Sequence, residues 1–221
     1  MRAALFLAAG FALALFLSGC EQLLSGFGGT GGGSFVSGTS VTLSGQLLDW
    51  PGGTGTLYNV HSEPAEIGQT NPMTGPIQND GSFTLTLTYP PSWNPYDYPD
   101  DCNGAVQVSD TSVGMTTLNL QVKDAQGNIV GSAQERNTPS ADPAVGNKWI
   151  AYVFVEGDLS IHGTCNLGTK SEVHLDLKTG WNAVVIEITA VSTSGGVTTA
   201  SAIKEYPATS EDGFHWYYDA W

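Results

Sequence analysis

The chain has 221 residues, 21 of them acidic and 7 basic, for a formal net charge of −14. So acidic a surface repels nucleic-acid phosphates and anionic headgroups, which excludes nucleic acid as an expected partner. Charged residues make up only 13% of the chain, against roughly 25% in ordinary domains; Gly, Ser and Thr take the polar positions instead, as suits short strands and many turns.

Residues 3–17, "AALFLAAGFALALFL", carry no charge and follow a single basic residue, Arg2. Such a run is shorter than the about 20 residues a permanent membrane helix needs, and it fits the h-region of a secretory signal. It ends Leu17-Ser18-Gly19-Cys20, which resembles the lipobox of bacterial lipoproteins. The resemblance implies that Cys20 receives a diacylglyceryl group, that residues 1–19 are removed as a signal peptide, and that the new amino terminus is acylated. Two or three acyl chains, such as palmitate, then anchor the protein on the extracytoplasmic side of a membrane, because each buried methylene contributes about 0.8 kcal/mol. The alternative is a soluble secreted chain with a cysteine there by chance. Glu21 follows the lipid site where some diderm bacteria read an Asp as a retention signal, which favours the outer membrane or cell surface and leaves the leaflet open. Residues 20–39 read as the lipidated cysteine and a flexible Gly/Ser-rich tether.

The folded region, 40–221, opens with "SVTLSGQLLDWPGGTGTLYNV" and then "PIQNDGSFTLTLTYP". In the second stretch Phe83, Leu85, Leu87 and Tyr89 alternate with Ser82, Thr84, Thr86 and Thr88, the period of a half-buried strand. A strand with an internal glycine (Gly45), a Gly/Pro hairpin, a second strand and "DGSF" entering an alternating strand resemble carboxypeptidase-regulatory-like, or transthyretin-like, β-sandwich modules. The resemblance covers roughly residues 40–90 and implies a non-catalytic accessory or adhesion domain.

Next comes "SWNPYDYPDDCNG". Asp97, Asp100, Asp101 and Asn103 offer hard oxygens suited to Ca²⁺, although without EF-hand spacing, and the bland alternative is a solvated acidic loop. Trp93, Tyr96 and Tyr98 in the same loop present flat faces beside polar groups, suited to a sugar ring or a protein partner, or else they cap the sandwich as core. Setting Cys20 aside leaves Cys102 and Cys165, both in polar sequence of an oxidising compartment, and a Cys102–Cys165 disulfide is expected.

Farther along, "TLNLQVK" turns Leu118, Leu120 and Val122 inward, and "KWIAYVFVE" is apolar on both faces and should lie centrally. "DLSIHGT" and "EVHLDLK" place His162 and His174 outward. A hairpin turning near Gly168 would set them directly opposite, with β-carbons about 5 Å apart. Two imidazoles with Asp176 or Glu172 have a metal-site composition; solvated strand histidines are the plainer alternative. His61 and His215 have no visible partner. In the tail "GFHWYYDAW", Phe214, Trp216 and Tyr218 alternate with His215 and Tyr217, as in a last edge strand. Turn sequences such as Asn79-Asp80-Gly81 and Gly195-Gly196 separate the strands.

The expected fold is therefore an all-β antiparallel sandwich, immunoglobulin- or transthyretin-like, built as one larger sandwich or as two fused halves with a sub-boundary near 124–147. No nucleophile elbow, zincin motif or phosphate-binding glycine loop stands in the sequence. The expected role is a membrane-anchored, non-catalytic binding protein of the cell envelope, structural or adhesive, with an envelope protein or glycan as partner and no cofactor. The alternative is a carbohydrate-binding or calcium-dependent recognition module.

Overall fold

A computed structural model describes residues 37–60, 73–90, 94–95, 105–209 and 213–221, all within one unit, Gly33–Trp221. They form strands β1 (Ser37–Gly38), β2 (Val41–Gln46), β3 (Gly55–Asn59), β4 (Thr74–Ile77), β5 (Ser82–Leu87), β6 (Asn94–Pro95), β7 (Val106–Val108) and β8 (Gly114–Thr117). There follow β9 (Leu120–Asp124), β10 (Ile129–Arg136), β11 (Lys148–Val155), β12 (Leu159–Leu167), β13 (Thr169–Leu177), β14 (Gly180–Ser194), β15 (Val197–Pro207) and β16 (His215–Ala220). The chain is thus all-β and sandwich-like, with no α-helix among the described residues.

The strands hydrogen-bond into one folded sheet, ordered β2-β5-β4-β3-β9-β10-β11-β14-β15-β13-β12-β7, with β1 beside β14, β16 beside β10, β8 beside β11 and β6 beside β8. The named strands pair antiparallel except for β13 beside β15, which is parallel. The alternation read in the sequence sets the faces. Phe83, Leu85 and Leu87 are buried while Thr84 and Thr86 are exposed, and Val173, Leu175 and Leu177 are buried while His174 and Asp176 face solvent.

The doubly apolar β11 lies at the centre and pairs along its whole length with β14. Its Ile150, Tyr152 and Phe154 join Trp181, Ala183 and Val185 of β14 in a large core closed by β2, β3, β5 and β9. On the opposite face Val153 and Val155 join Val184 in a smaller core closed by β12 and β13. The β11–β14 pair is therefore a wall shared by two cores. Fully burying each such side chain contributes about 1.5–3 kcal/mol, so this wall contributes more per residue than any half-wet strand.

"TLNLQVK" is not one strand. β8 ends at Thr117 and β9 begins at Leu120, because β8 pairs with β11 while β9 pairs with β3 and β10. Nor is the tail an edge along its whole length. β16 runs in register along β10, and on its other side Leu48 N donates to Trp216 O at 2.8 Å while Tyr218 N donates to Leu48 O at 3.0 Å. Trp216 meets Phe83 edge-on with ring centres 5.2 Å apart. The glycine inside β2 makes this seat: a β-carbon on Gly45 would stand 2.8 Å from Cδ1 of Trp216.

Arg136 pins the last strand. It is 5% exposed, and its Nη1 and Nη2 donate to Oδ2 and Oδ1 of Asp219 at 2.6 and 2.7 Å. Nε and Nη2 also reach the carbonyls of Thr138 and Pro139, each at 2.9 Å, and the guanidinium lies 4.7 Å over the Tyr217 ring. A buried charge with this many partners is tolerated, and removing one of them is costly.

Candidate functional site

The β12–β13 hairpin turns at Gly168, with Leu167 opposite Thr169, and this register sets His162 directly opposite His174. Alternation turns both outward, away from the smaller core. The ring centres are 5.9 Å apart with planes at 63°. Each imidazole engages its own carboxylate: His162 Nε2 lies 3.1 Å from Asp176 Oδ1, and His174 Nε2 lies 3.0 Å from Glu172 Oε1. Asp176 also accepts from Ser160 Oγ at 2.7 Å, and Lys204 Nζ stands 3.6 Å from Glu172.

These contacts favour the ionised acids. The Ser160 hydroxyl, then His162, hold the Asp176 carboxyl below its ordinary value. His174, then Lys204, do the same for Glu172. Beside them Lys178 Nζ reaches Asp158 at 2.9 Å. The face is a lattice of short polar contacts in solvent. The two histidines come together as the hairpin reading requires, but each Nε2 is aimed at a carboxylate rather than at a common centre. Among the described residues no group of three or more His, Cys, Asp or Glu is arranged to hold a metal ion.

A second arrangement concerns a residue that sequence reasoning passed over. Glu135, 3% exposed, lies on the inward face of β10 with Gly131 and Ala133, and Tyr152 donates to its Oε2 at 2.5 Å. The Tyr152 ring lies parallel to Trp216, their centres 6.0 Å apart. With Trp149, Asn119 and Leu118 these residues line an opening of about 280 Å³ at one end of the large core. Val60 N donates to Asn119 O at this rim, and Asn59 N donates to Met73 O, so the described chain leaves at residue 60 and returns at residue 73 close to the opening. The available signal was phase: in "GSAQER" position 135 falls on the inward register of Ala133.

A third feature is a ribbon. β14 and β15 continue past the sandwich to a turn at Gly195-Gly196, whose φ values of 59° and 82° suit the two-residue hairpin that twists with its strands. β11 accompanies β14 only as far as Glu187, and β13 accompanies β15 only at Ala202 to Glu205. Beyond these limits Ile188 still bonds Gly146 and Asn147 and Ala200 O accepts from Thr169 Oγ1 at 3.2 Å; farther out β14 and β15 pair with each other, Ser192 opposite Thr199 and Thr193 opposite Thr198. Val191 and Val197 are 36% and 64% exposed. No charged residue occurs from 188 to 203.

Cys165 is buried, at 5% exposure; Cys20 and Cys102 lie outside the described residues. So do Trp93, Tyr96, Tyr98, Asp97, Asp100, Asp101, Asn103 and His61. Phe214 and Tyr218 pack against the large core and Trp216 belongs to it, so much of the tail's aromatic surface is spent internally, while His215 stays exposed. No family model, no curated protein and no solved structure matches the chain.

Proposed function

We propose that this chain is a lipid-anchored, extracytoplasmic β-sandwich that binds another component of the cell envelope without turning over a substrate. The observation that carries the reading is the β14–β15 ribbon. It extends past the β11 and β13 pairings, and its outer part carries no charge and exposes Val191 and Val197. Leu17-Ser18-Gly19-Cys20 supports the anchor, and the acidic body disfavours nonspecific adsorption to anionic headgroups. A Cys102–Cys165 disulfide belongs to the same proposal. The chain-entropy model assigns a loop of this length roughly 4 kcal/mol.

The experiment is mild cross-linking in native envelopes, followed by detergent extraction and mass spectrometry, for the parent and for Cys20→Ser. The parent is expected in the membrane fraction with a stoichiometric adduct, and Cys20→Ser in the soluble fraction without it. A parent that stays monomeric in envelopes and unbound to any component overturns the reading.

A second reading, glycan recognition, has one observation in its favour: the opening where Glu135 and Tyr152 meet Trp149 and Trp216. Glycan-dependent quenching of tryptophan fluorescence, lost in Trp149→Ala, would support it. Calcium at residues 97–103 would instead raise the melting temperature on adding Ca²⁺ and lower it with chelator.

A further inference from the structure

We infer that the partner of the β14–β15 ribbon is the same ribbon on a second copy of this chain, joined edge to edge along β14. This rests on the binding role proposed above and names its partner.

Three observations meet at this place. First, among the described residues the edge is open. Gly146 N donates to Ile188 O and Ile188 N donates to Asn147 O. Past that point no described residue bonds the outer backbone of β14 through Ser194. An open edge is a template for another strand, and proteins normally guard one with lysine, proline or a bulge within it. Here residues 191–200 contain only Val, Ser, Thr, Gly and Ala, and the register shifts that could twist the edge away are confined to the ribbon's base, between Ile188 and Val191.

Second, a two-stranded ribbon wet on both faces is marginal by itself. Its internal side-chain bonds are few: Thr193 Oγ1 to Thr198 Oγ1 at 3.0 Å, and Ser192 Oγ to Thr199 Oγ1 at 3.4 Å. Pairing two β14 edges gives four strands in the order β15-β14-β14-β15 and places the exposed Val191 beside the partner strand.

Third, charge selects the place. Copies that each carry a net charge near −14 repel across most of their surface. The ribbon is neutral, and residues 189–194 at about 3.3 Å per residue span roughly 20 Å. Overlapped antiparallel, two ribbons hold the acidic bodies about one ribbon length apart, beyond the screening length of about 8 Å at physiological ionic strength. Antiparallel edges of identical sequence are self-complementary about a two-fold axis, so the contact closes as a dimer and does not propagate.

The test places a benzophenone amino acid at Ser192 of the full chain in native envelopes, with and without Val191→Glu plus Thr193→Glu. These two positions are exposed or at the ribbon's face, so the fold should survive, and across a two-fold the added like charges oppose one another. The expected result is a cross-linked homodimer, reduced several-fold in the double variant while its melting temperature is unchanged. A homodimer yield untouched by the double variant overturns edge pairing. An adduct to a different protein or to a glycan overturns the second copy as partner and leaves the binding role standing. An adduct-free Ser192 overturns both.

Discussion

One strand, β14, passes through two opposite environments. From Gly180 to Val185 it is buried on both faces, with Trp181, Ala183 and Val185 in one core and Val184 in the other. From Val191 to Ser194 it is exposed at every residue. Both halves are β-strand; what changes is how many neighbours accompany it and which side chains it carries. Trp, Val and Ile fill the half flanked by β11, while Ser and Thr fill the half that has left β11 behind. A strand's burial is thus a property of its neighbours. The residue types follow that burial, and where they turn small and uncharged without a covering element, the surface is available for contact with another molecule.

The largest effect is expected in the buried half. Trp181 is fully buried, donates from Nε1 to Thr88 O at 2.8 Å and packs edge-on to Phe154. Trp181→Ala should cost about 3–5 kcal/mol in urea unfolding. A loss under about 1 kcal/mol would mean that the wall is not a shared core. Slightly smaller is the effect of unpinning β16. Asp219→Ala strands the buried Arg136 guanidinium and should cost about 3 kcal/mol, less for any solvent that reaches the 32%-exposed carboxylate position. An unchanged unfolding midpoint would remove Arg136 from the account.

The wet outer face of β13 should matter far less. The Asp176 carboxyl is held below its ordinary value in the folded chain, so its contribution is present above the unfolded carboxylate value of about 3.9 and is lost as pH falls through the lowered folded value. Because the group is largely exposed, the effect should stay below about 1 kcal/mol. Asp176→Asn should therefore lower the melting temperature slightly at pH 7 and converge with the parent as pH falls below about 4, which flattens the acid side of the profile. A variant profile parallel to the parent's would contradict this. Smallest is the ribbon itself: Val197→Glu, at 64% exposure, should move stability by no more than about 0.5 kcal/mol. A larger loss in dilute solution would mean that the ribbon supports the fold.

Local signals carried much of this structure. The alternation of Phe83, Leu85 and Leu87, the doubly apolar "KWIAYVFVE" and the His162–His174 opposition were legible because each depends on a period of two or on a turn at a nearby glycine. The parallel β13–β15 pairing and the joining of β16 to β10 were not, since both bring together segments far apart in sequence. Glu135 was passed over because a carboxylate reads as solvated unless the phase of its strand is followed inward from Ala133. The Gly195-Gly196 turn was legible as a hairpin, but that β11 and β13 stop short of it is a fact of strand length and register that no stretch of the ribbon encodes. Trp93 and residues 96–103 fall outside the described residues, so the calcium and sugar readings there rest on the sequence.

The most direct measurement shortens the β14–β15 hairpin so that a tight turn replaces residues 192–199 in the full chain. It then compares urea unfolding with the yield of cross-linked adduct from native envelopes. The expected result is stability within about 0.5 kcal/mol of the parent and loss of the adduct. An adduct that persists at parental yield would contradict it, because the binding surface would then lie elsewhere on the sandwich.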